Sequence, residues 1–249
     1  MKRALVSPAF TQAITQETIR GGHYYSHINS PERSYPSATT LLSVIAKPAI
    51  SKWREKMIFE HACSVLAEGS DYTTSEIITI LKHSFEEPDR YRDNAAAAGT
   101  EMHNAVEGWV NEGLASEANA GYEACVRFLR SSGITPVRSE VRVYTDPHMH
   151  HTGVMVPGFG GTVDLVGMQG DQLVIVDWKT GALYPSQRMQ VAGYAYVLSR
   201  MLSMPVSRGM IYSTKSDSMQ ECDLAADLAG FLAIASAWNA THVRTNIYE

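Results

Sequence analysis

The spacing of apolar residues changes at Pro136, and this change constrains the fold more than any other feature of the 249-residue sequence. Before Pro136, apolar residues recur about every 3.6 positions, which is typical of one face of an α-helix; after it they alternate with polar residues, as in a β-strand. The sequence therefore predicts one domain over 1–249, with a mainly helical region at 1–135 and an α/β core at 136–249.

The first region is expected to be helical after a short β segment around 23–28. Ser37 is a candidate helix cap, Lys47-Pro48 should interrupt the first helix, and the helix at Thr74 should be short and should pack its isoleucines. The predicted helices begin after Ser37, after Pro48, at Thr74, at Pro88 and at Gly121, the last one closed by Gly133.

The second region contains the strand patterns. Its third strand is almost continuously apolar before a charged end, as expected of a central buried strand. Because helices follow these strands, we expect a mixed sheet flanked by helices. The predicted strands are 137–146, 161–168, 171–179, 206–213 and a short edge strand at 219–223; the predicted helices are 186–201 and 224–239.

Net charge excludes a surface that is basic throughout. The chain has 21 Lys and Arg against 26 Asp and Glu, a net charge of −5, so any phosphate binding must be local. Residues 1–60 carry four acidic residues and an excess of +4, which leaves −9 for the remainder. The eight basic residues of this segment are Lys2, Arg3, Arg20, Arg33, Lys47, Lys52, Arg54 and Lys56.

Targeting and cysteine patterns predict an intracellular protein. No apolar run approaches the roughly 20 residues of a membrane span, and the first residues do not resemble a signal peptide. The three cysteines, Cys63, Cys125 and Cys222, are widely spaced, which favours buried reduced thiols over disulfides or a metal cluster.

Two acids and a lysine form the strongest candidate site. Asp177 and Lys179 are two positions apart at the end of a strand, so they share a face, and Asp164 can approach Asp177 if strands 161–168 and 171–179 pair. Two close carboxylates repel each other unless a cation separates them, and oxygen ligands suit Mg²⁺ or Mn²⁺. Lys179 could then position a water or stabilise charge on a phosphate. An ordinary solvated strand end is the alternative.

Five motifs follow one another over residues 35–200: YPSATTLLSVIAKPAISKW, GTEMH, GTVDLVG, LVIVDWKTG and Gln190-x-x-x-Tyr194. In this order they resemble the PD-(D/E)XK nuclease superfamily, and within it the RecB-like exonuclease branch. The first motif is similar to a segment of relatives of the mitochondrial genome maintenance exonuclease. Phage exonucleases are similar as well. The resemblance implies a restriction-endonuclease-like core and a divalent metal.

The resemblance also implies roles for single residues. His103, Asp164 and Asp177 would be metal ligands, with the carbonyl of Trp178 as a further one. Lys179 would be the catalytic lysine, and Gln190 and Tyr194, one helical turn apart, would hold Lys179 or a substrate phosphate.

Two glutamates have two interpretations each. Glu140, at the start of the first strand, either touches the metal or a water, or belongs to a solvated strand face with Arg138 and Arg142. Glu107, four residues after His103, either orients the imidazole or lies on the surface.

The basic residues of the front helices are candidates for DNA binding. Cations around an aromatic ring suit single-stranded DNA, although a solvated helix with a core Trp53 is the alternative. Ala98 stands where relatives often have an arginine, whose phosphate contact Arg92 could supply. These helices are expected to form a wall or arch over the metal site. The candidates are Ser37, Thr39, Thr40, Lys47, Lys52, Trp53, Arg54, Lys56 and Arg92, with Ser37 alternatively a helix cap.

The sequence thus favours a metal-dependent exonuclease that attacks DNA strands with free ends, in repair, recombination or replication. The alternatives are a phage-type nuclease that resects duplex ends with a recombination partner protein, and a non-catalytic DNA-binding module of the same fold. Three scattered cysteines cannot hold the iron–sulfur cluster of some relatives, so none is expected. The histidines of HMHH at 148–151 diverge in a predicted turn, which disfavours zinc.

Overall fold

The computed structural model describes residues 13–19, 21–67, 69, 71–114 and 120–242. Lys2, Arg3 and Arg20, three of the basic residues counted above, lie outside the described residues. The chain divides into two compact units, of which one comprises Met1–Ile45 and Met102–Glu249 and the other Ala46–Glu101.

The larger unit contains ten strands and the helices that flank them in the described part of the chain. Its strands are β1 (Ile14–Ile19), β2 (Gly22–His27), β3 (Ser30–Pro36), β4 (Thr135–Thr145), β5 (His148–Met149), β6 (Met155–Val156), β7 (Phe159–Gln169), β8 (Gln172–Lys179), β9 (Val206–Ser213) and β10 (Ser218–Glu221). Its helices are α1 (Ala38–Leu41), a 3₁₀ turn (Leu42–Val44), α4 (Ala120–Ser132), α5 (Pro185–Leu202) and α6 (Leu224–His242).

A five-stranded mixed sheet forms the centre of this unit, in the order β10-β9-β8-β7-β4. β8 and β9 are parallel because α5 connects them, whereas the other neighbours are antiparallel. Gly170 makes the tight turn between β7 and β8 with φ +59°. The predicted mixed α/β fold is confirmed, and the predicted strands of the core lie within a few residues of the observed ones.

The apolar core lies on both faces of the sheet. On one face, Ile175 and Ile211 pack with Val191 and Leu198 of α5 and with Phe231 of α6. The other face is covered by α4 and by the end of a long helix. Packed against each other on that face are Met102, Val106, Cys125 and Leu129 of the helices and Leu165, Val176 and Trp178 of the strands.

The β segment expected around 23–28 is confirmed by β2 (Gly22–His27), but β2 is the central strand of an antiparallel sheet β1-β2-β3 over residues 14–36, whose other two strands were not predicted. The turn at Gly21, with φ +79°, joins β1 to β2, so the Gly21-Gly22 pair was a hairpin signal. β3 leads into Ser37, which forms a β-bridge with Gly160 of β7. Ser37 also caps α1, accepting a hydrogen bond from the N–H of Thr40 at 3.0 Å as predicted.

The smaller unit consists of helix α2 (Pro48–Ala67) and most of helix α3 (Thr74–Glu107). The predicted short helix at Thr74 and the predicted start at Pro88 are both wrong, since α3 continues through Pro88. The proline only removes the donor for the carbonyl of Ser84, and one lost bond does not end a helix of 34 residues. Ile77 and Ile78 are 37% and 49% exposed, so the expected packing of these side chains is also wrong. No helix in the described part of the chain is long and apolar enough to cross a membrane.

We predict that Gly161→Ala destabilises the fold, because a Cβ at this position would overlap the buried ring of Tyr194. Overpacking of this kind costs about 1–3 kcal/mol in the free energy of unfolding. Urea denaturation measures the change. Gly181→Ala is the matched control, since a Cβ there meets nothing within 4 Å. Equal stabilities of the two variants would contradict the packing described.

Candidate active site

The site lies where β7 separates from β8. Their ladder ends at the pair Leu165 and Val176, and beyond it β7 pairs with β4 and, at Gly160, forms a bridge with Ser37. Beyond the ladder, a side chain replaces the backbone as the partner of β8: Oδ2 of Asp164 accepts a hydrogen bond from the N–H of Trp178 at 2.8 Å. The side chain of Asp164 is thereby fixed beside the end of β8.

Asp177 and Lys179 lie at that end of β8, as the sequence predicted. The Lys179 Nζ is 2.6 Å from Oδ2 of Asp177, and the Asp177 side chain is only 5% exposed. Its Oδ1 has no hydrogen-bond partner among the described residues. Burying a carboxylate oxygen without a partner costs free energy of folding, which a cation bound to this atom would offset.

His103, Glu140 and Asp164 converge on one point. The Nδ1 of His103 is 3.1 Å from Oε1 of Glu140, and its Nε2 is 3.8 Å from Oδ2 of Asp164. One ligand atom from each of the three lies within 4.8 Å of the others. Glu140 therefore belongs to this cluster of potential metal ligands.

The backbone of Glu140 is strained, which the sequence did not indicate. Glu140 lies in β4 between Ser139 and Val141, which pair with β7, but it has φ +55°, a left-handed conformation that costs about 1–3 kcal/mol for a residue other than glycine. The preceding residue, Ser139, is held from two sides. Its hydroxyl donates to the carbonyl of Asp164 at 2.6 Å, and its N–H and carbonyl both bond the side-chain amide of Asn111 at 2.9 and 3.1 Å.

Asn111 lies in a π-helical segment (Gly108–Glu112) that directly follows α3, the helix that carries His103. The amide of Asn111 also donates to Glu107 at 3.4 Å, so Glu107 contacts Asn111 and not the imidazole of His103. Sequence reasoning missed Asn111, because a π segment has no local signal and its partner Ser139 is 28 residues away. Asn111 and the strained Glu140 together place a carboxylate against His103.

Burial dominates the electrostatics of the acid pair. It raises the pKa of Asp177 to about 6, although the Lys179 charge opposes the shift and Asp164 adds to it. Burial also raises the pKa of Asp164, against the charges of His103 and Lys179. Without a metal, the folded chain thus holds two carboxylates that resist ionisation.

The two bases of the site, His103 and Lys179, both have a raised pKa, although burial alone would lower it. Burial alone lowers the pKa of His103, but the hydrogen bond to Glu140 and the charges of Asp164 and Glu140 raise it overall. Burial likewise lowers the pKa of Lys179, and the charges of Asp177 and Asp164 outweigh it. Lys179 is therefore an ammonium ion in the metal-free site.

Gln190 and Tyr194 share one face of α5, as predicted. The Gln190 amide donates to the Tyr194 hydroxyl at 3.1 Å, and the Tyr194 ring packs on Gly161 of β7. Burial raises the pKa of Tyr194 well above its usual value, and the charges of Asp177 and Asp164 add to that shift. Tyr194 thus lies within electrostatic reach of both acids.

The structure distributes the candidate DNA-binding residues over both units. In the larger unit, Ser37 is buried and its hydroxyl caps α1, whereas Thr39 is exposed. In the smaller unit, Trp53 is 36% exposed beside the ring of Tyr91. Three cations there form ion pairs: Arg54 with Asp89 at 2.7 Å, Lys56 with Glu60 at 3.6 Å, and Arg92 with Asp89 and Asp93, both at 2.9 Å. Lys47 and Lys52 are exposed.

The remaining predictions concern cysteine and histidine. All three cysteines are free, but Cys63 is exposed, so the prediction of buried thiols holds only for Cys125 and Cys222.

The histidines of HMHH lie on the hairpin β5-β6, where Nε2 of His148 contacts the Tyr196 hydroxyl at 2.6 Å. Among the described residues, the one cluster suited to a metal contains His103, Glu140 and Asp164.

The donor set fits a divalent cation. Carboxylate oxygens and an imidazole are ligands of divalent cations, and the buried Oδ1 of Asp177 is a further oxygen without a hydrogen-bond partner. The sequence of residues 66–234 matches the family of PD-(D/E)XK nucleases. The chain belongs to the PD-(D/E)XK nuclease superfamily. Members of this superfamily are metal-dependent nucleases, so the PD-(D/E)XK assignment makes DNA the implied substrate class.

Two other comparisons add little to the PD-(D/E)XK assignment. No curated protein matches the sequence. The chain is similar to the solved structure entitled "Crystal structure of SSO0001", with 11% sequence identity and a TM-score of 0.35. The aligned part covers 76% of this chain and 86% of that structure's chain. That score is too low to support an inference.

We predict that Glu140→Gln weakens Mn²⁺ binding by at least about tenfold, because loss of a charged partner at a metal site commonly costs 10–100-fold in affinity. Isothermal titration of the purified protein measures the effect. Glu123→Gln is the control, because Glu123 is exposed on α4 and lies outside the cluster. Equal weakening in both variants would remove Glu140 from the metal site.

Metal affinity should also fall at acid pH. Asp177, with its pKa raised to about 6, must lose its proton to bind a cation, and His103, whose pKa is also raised, must be neutral. Below about pH 6, the Mn²⁺ affinity should therefore drop by roughly tenfold per pH unit for each proton displaced. Titrations from about pH 8 to about pH 5 measure this, and a constant affinity would contradict the assignment of these ligands.

Proposed function

We propose that this protein is an intracellular, metal-dependent DNA exonuclease of the RecB-like branch that hydrolyses single-stranded DNA from free ends. The observation that carries the proposal is the convergence of His103, Glu140 and Asp164 within 4.8 Å beside the pair Asp177 and Lys179. A binding-only protein gains nothing from two buried acids that repel each other. The order of motifs supports the RecB-like branch, and the branch in turn suggests repair, recombination or replication as the pathway.

Mg²⁺ or Mn²⁺ is the proposed cofactor, held by His103, Glu140, Asp164 and Asp177, with the Trp178 carbonyl as a further candidate. Such a cation lowers the pKa of water and offsets the charge of a phosphate. No iron–sulfur cluster is proposed.

Lys179 is the proposed catalytic residue. Its ammonium group is paired with Asp177 in the metal-free site, and it would stabilise the negative charge that develops on the phosphate during hydrolysis. Gln190 and Tyr194 are proposed to bind the same phosphate or to orient Lys179. The hydrogen bond between them holds the Gln190 amide beside the Tyr194 hydroxyl.

The approach of DNA is proposed to involve the exposed cations of the smaller unit. Lys47 and Lys52 are available to phosphates, and Trp53 beside Tyr91 offers a ring on which a base can stack. Lys56 would exchange an isolated exposed ion pair for a phosphate, which costs little. Arg54 and Arg92 share Asp89, which Arg54 binds through two hydrogen bonds, so releasing them costs more. Thr39 is a candidate for a hydroxyl contact; Ser37 would act by holding α1 in place.

We predict that Lys179→Ala and Asp164→Asn each reduce Mg²⁺-dependent degradation of end-labelled single-stranded DNA by about 10²–10³-fold or more. Asp164→Asn retains an oxygen that can accept the Trp178 N–H, so the strand separation should persist. Digestion kinetics measure the rate and circular dichroism checks the fold. Undiminished cutting by either folded variant would overturn the site assignment.

The same assay, run on different substrates, separates the proposed function from its alternatives. The exonuclease should degrade linear single strands and leave closed circles intact. Preference for blunt duplex ends would indicate the phage-type resecting nuclease and its partner protein, and cutting of circles would indicate an endonuclease. A wild-type protein that binds DNA but neither cuts it nor binds millimolar Mn²⁺ would be a binding module.

A further inference from the structure

A polar cluster adjoins the metal site on the same two strands. Arg142 pairs with Thr162 across β4 and β7, two positions along each strand from Glu140 and Asp164. The hydroxyl of Thr162 is 3.0 Å from that of Tyr25 in β2, which in turn donates to Oε1 of Gln16 in β1 at 3.0 Å. We call Arg142, Thr162, Tyr25 and Gln16 the Arg142 cluster.

The cluster is fixed by the N-terminal sheet. Tyr25 is 4% exposed and packs so closely on Gly160 that a Cβ there would overlap it. Nη1 of Arg142 donates to the carbonyl of Ile14 at the start of β1, at 3.1 Å. The bridge between Ser37 and Gly160 holds the other end of the sheet. These contacts fix the geometry of the Arg142 cluster, while the side chains of Arg142 and Thr162 stay partly open to solvent.

The charge of Arg142 has no acidic partner within the described ranges. The hydrogen bond to Ile14 uses one of its five donors, and it forms no ion pair there. Arg138, four residues earlier on the same strand, is exposed. A guanidinium with free donors beside two hydroxyl groups matches the chemistry of a phosphate group.

The cluster is close enough to the acids to act on the same strand of DNA. Two residues along a β-strand span roughly 7 Å, which is comparable to the separation of neighbouring phosphates in one strand. The hydroxyl of Tyr25 lies within reach of both sites. Burial raises its pKa, the charge of Arg142 lowers it, and the charges of Glu140 and Asp164 raise it.

We propose that the Arg142 cluster is a phosphate-binding subsite for the nucleotide next to the bond that is cut. Arg142 donates to the phosphate oxygens, and Thr162 and Gln16 complete the contact. Tyr25 is a positioning residue that holds Thr162. This inference rests on the proposed nuclease function and adds a residue that neither the motifs nor the acidic site includes.

The test compares Arg142→Gln with Arg138→Gln, which removes the same charge from an exposed position of the same strand. Binding of a short labelled single strand is measured by fluorescence anisotropy in Ca²⁺, over a series of salt concentrations. Arg142→Gln should bind at least about tenfold more weakly, as expected for a charged hydrogen bond, and should lower the slope of log K against log salt by about 0.7. Arg138→Gln should change neither. Thermal unfolding checks that both variants are folded.

A second arm locates the phosphate. Single strands that carry one neutral methylphosphonate, moved along the sequence, should lose affinity for the wild type at a position beside the cleavage point. Arg142→Gln should be insensitive at that position alone. Equal behaviour of Arg142→Gln and Arg138→Gln, with an active wild type, overturns the subsite and leaves the nuclease intact; a wild type that binds no single strand overturns both.

Discussion

The burial of two carboxylates beside one lysine is the constraint on which the rest of the site depends. Asp164 and Asp177 lie where water is excluded, and burial raises the pKa of both. The fold offsets this cost with the N–H of Trp178, the ammonium group of Lys179 and the imidazole of His103. These partners balance only part of the charge, and in the proposed function a divalent cation supplies the rest. Stability is given up here for a site that is complete only with its metal.

The secondary structure follows from this constraint. β7 separates from β8 so that the Asp164 carboxylate, and not its backbone, meets Trp178. α3 continues into a π-helical segment that carries Asn111 to the backbone of Ser139, which holds Glu140 in a strained conformation. Backbone strain at a functional site is tolerated when the surrounding contacts overdetermine it, and Ser139 is held by contacts from both sides.

The core strands and the acid pair could be predicted because their signals are local. Alternation of apolar residues set the strands, and its period of two placed Asp177 and Lys179 on one face. The continuous apolar run before Asp177 indicated a central strand, which it is. The conformation of Glu140 could not be predicted, because it depends on Asn111 and on Asp164 in distant segments. The helix continues through Pro88 because one lost hydrogen bond does not end a helix of 34 residues. The β segment expected at 23–28 belongs to a three-stranded sheet, for which the turn at Gly21-Gly22 is a local signal.

Mn²⁺ soaked into crystals and located by anomalous diffraction tests the central claim most directly. The account predicts an ion between His103, Glu140 and Asp164, with Asp177 as an additional ligand and Lys179 released from its close contact with that carboxylate. Crystals that hold no ion at this position, or that hold it only elsewhere on the chain, would contradict the assignment of a metal-dependent site.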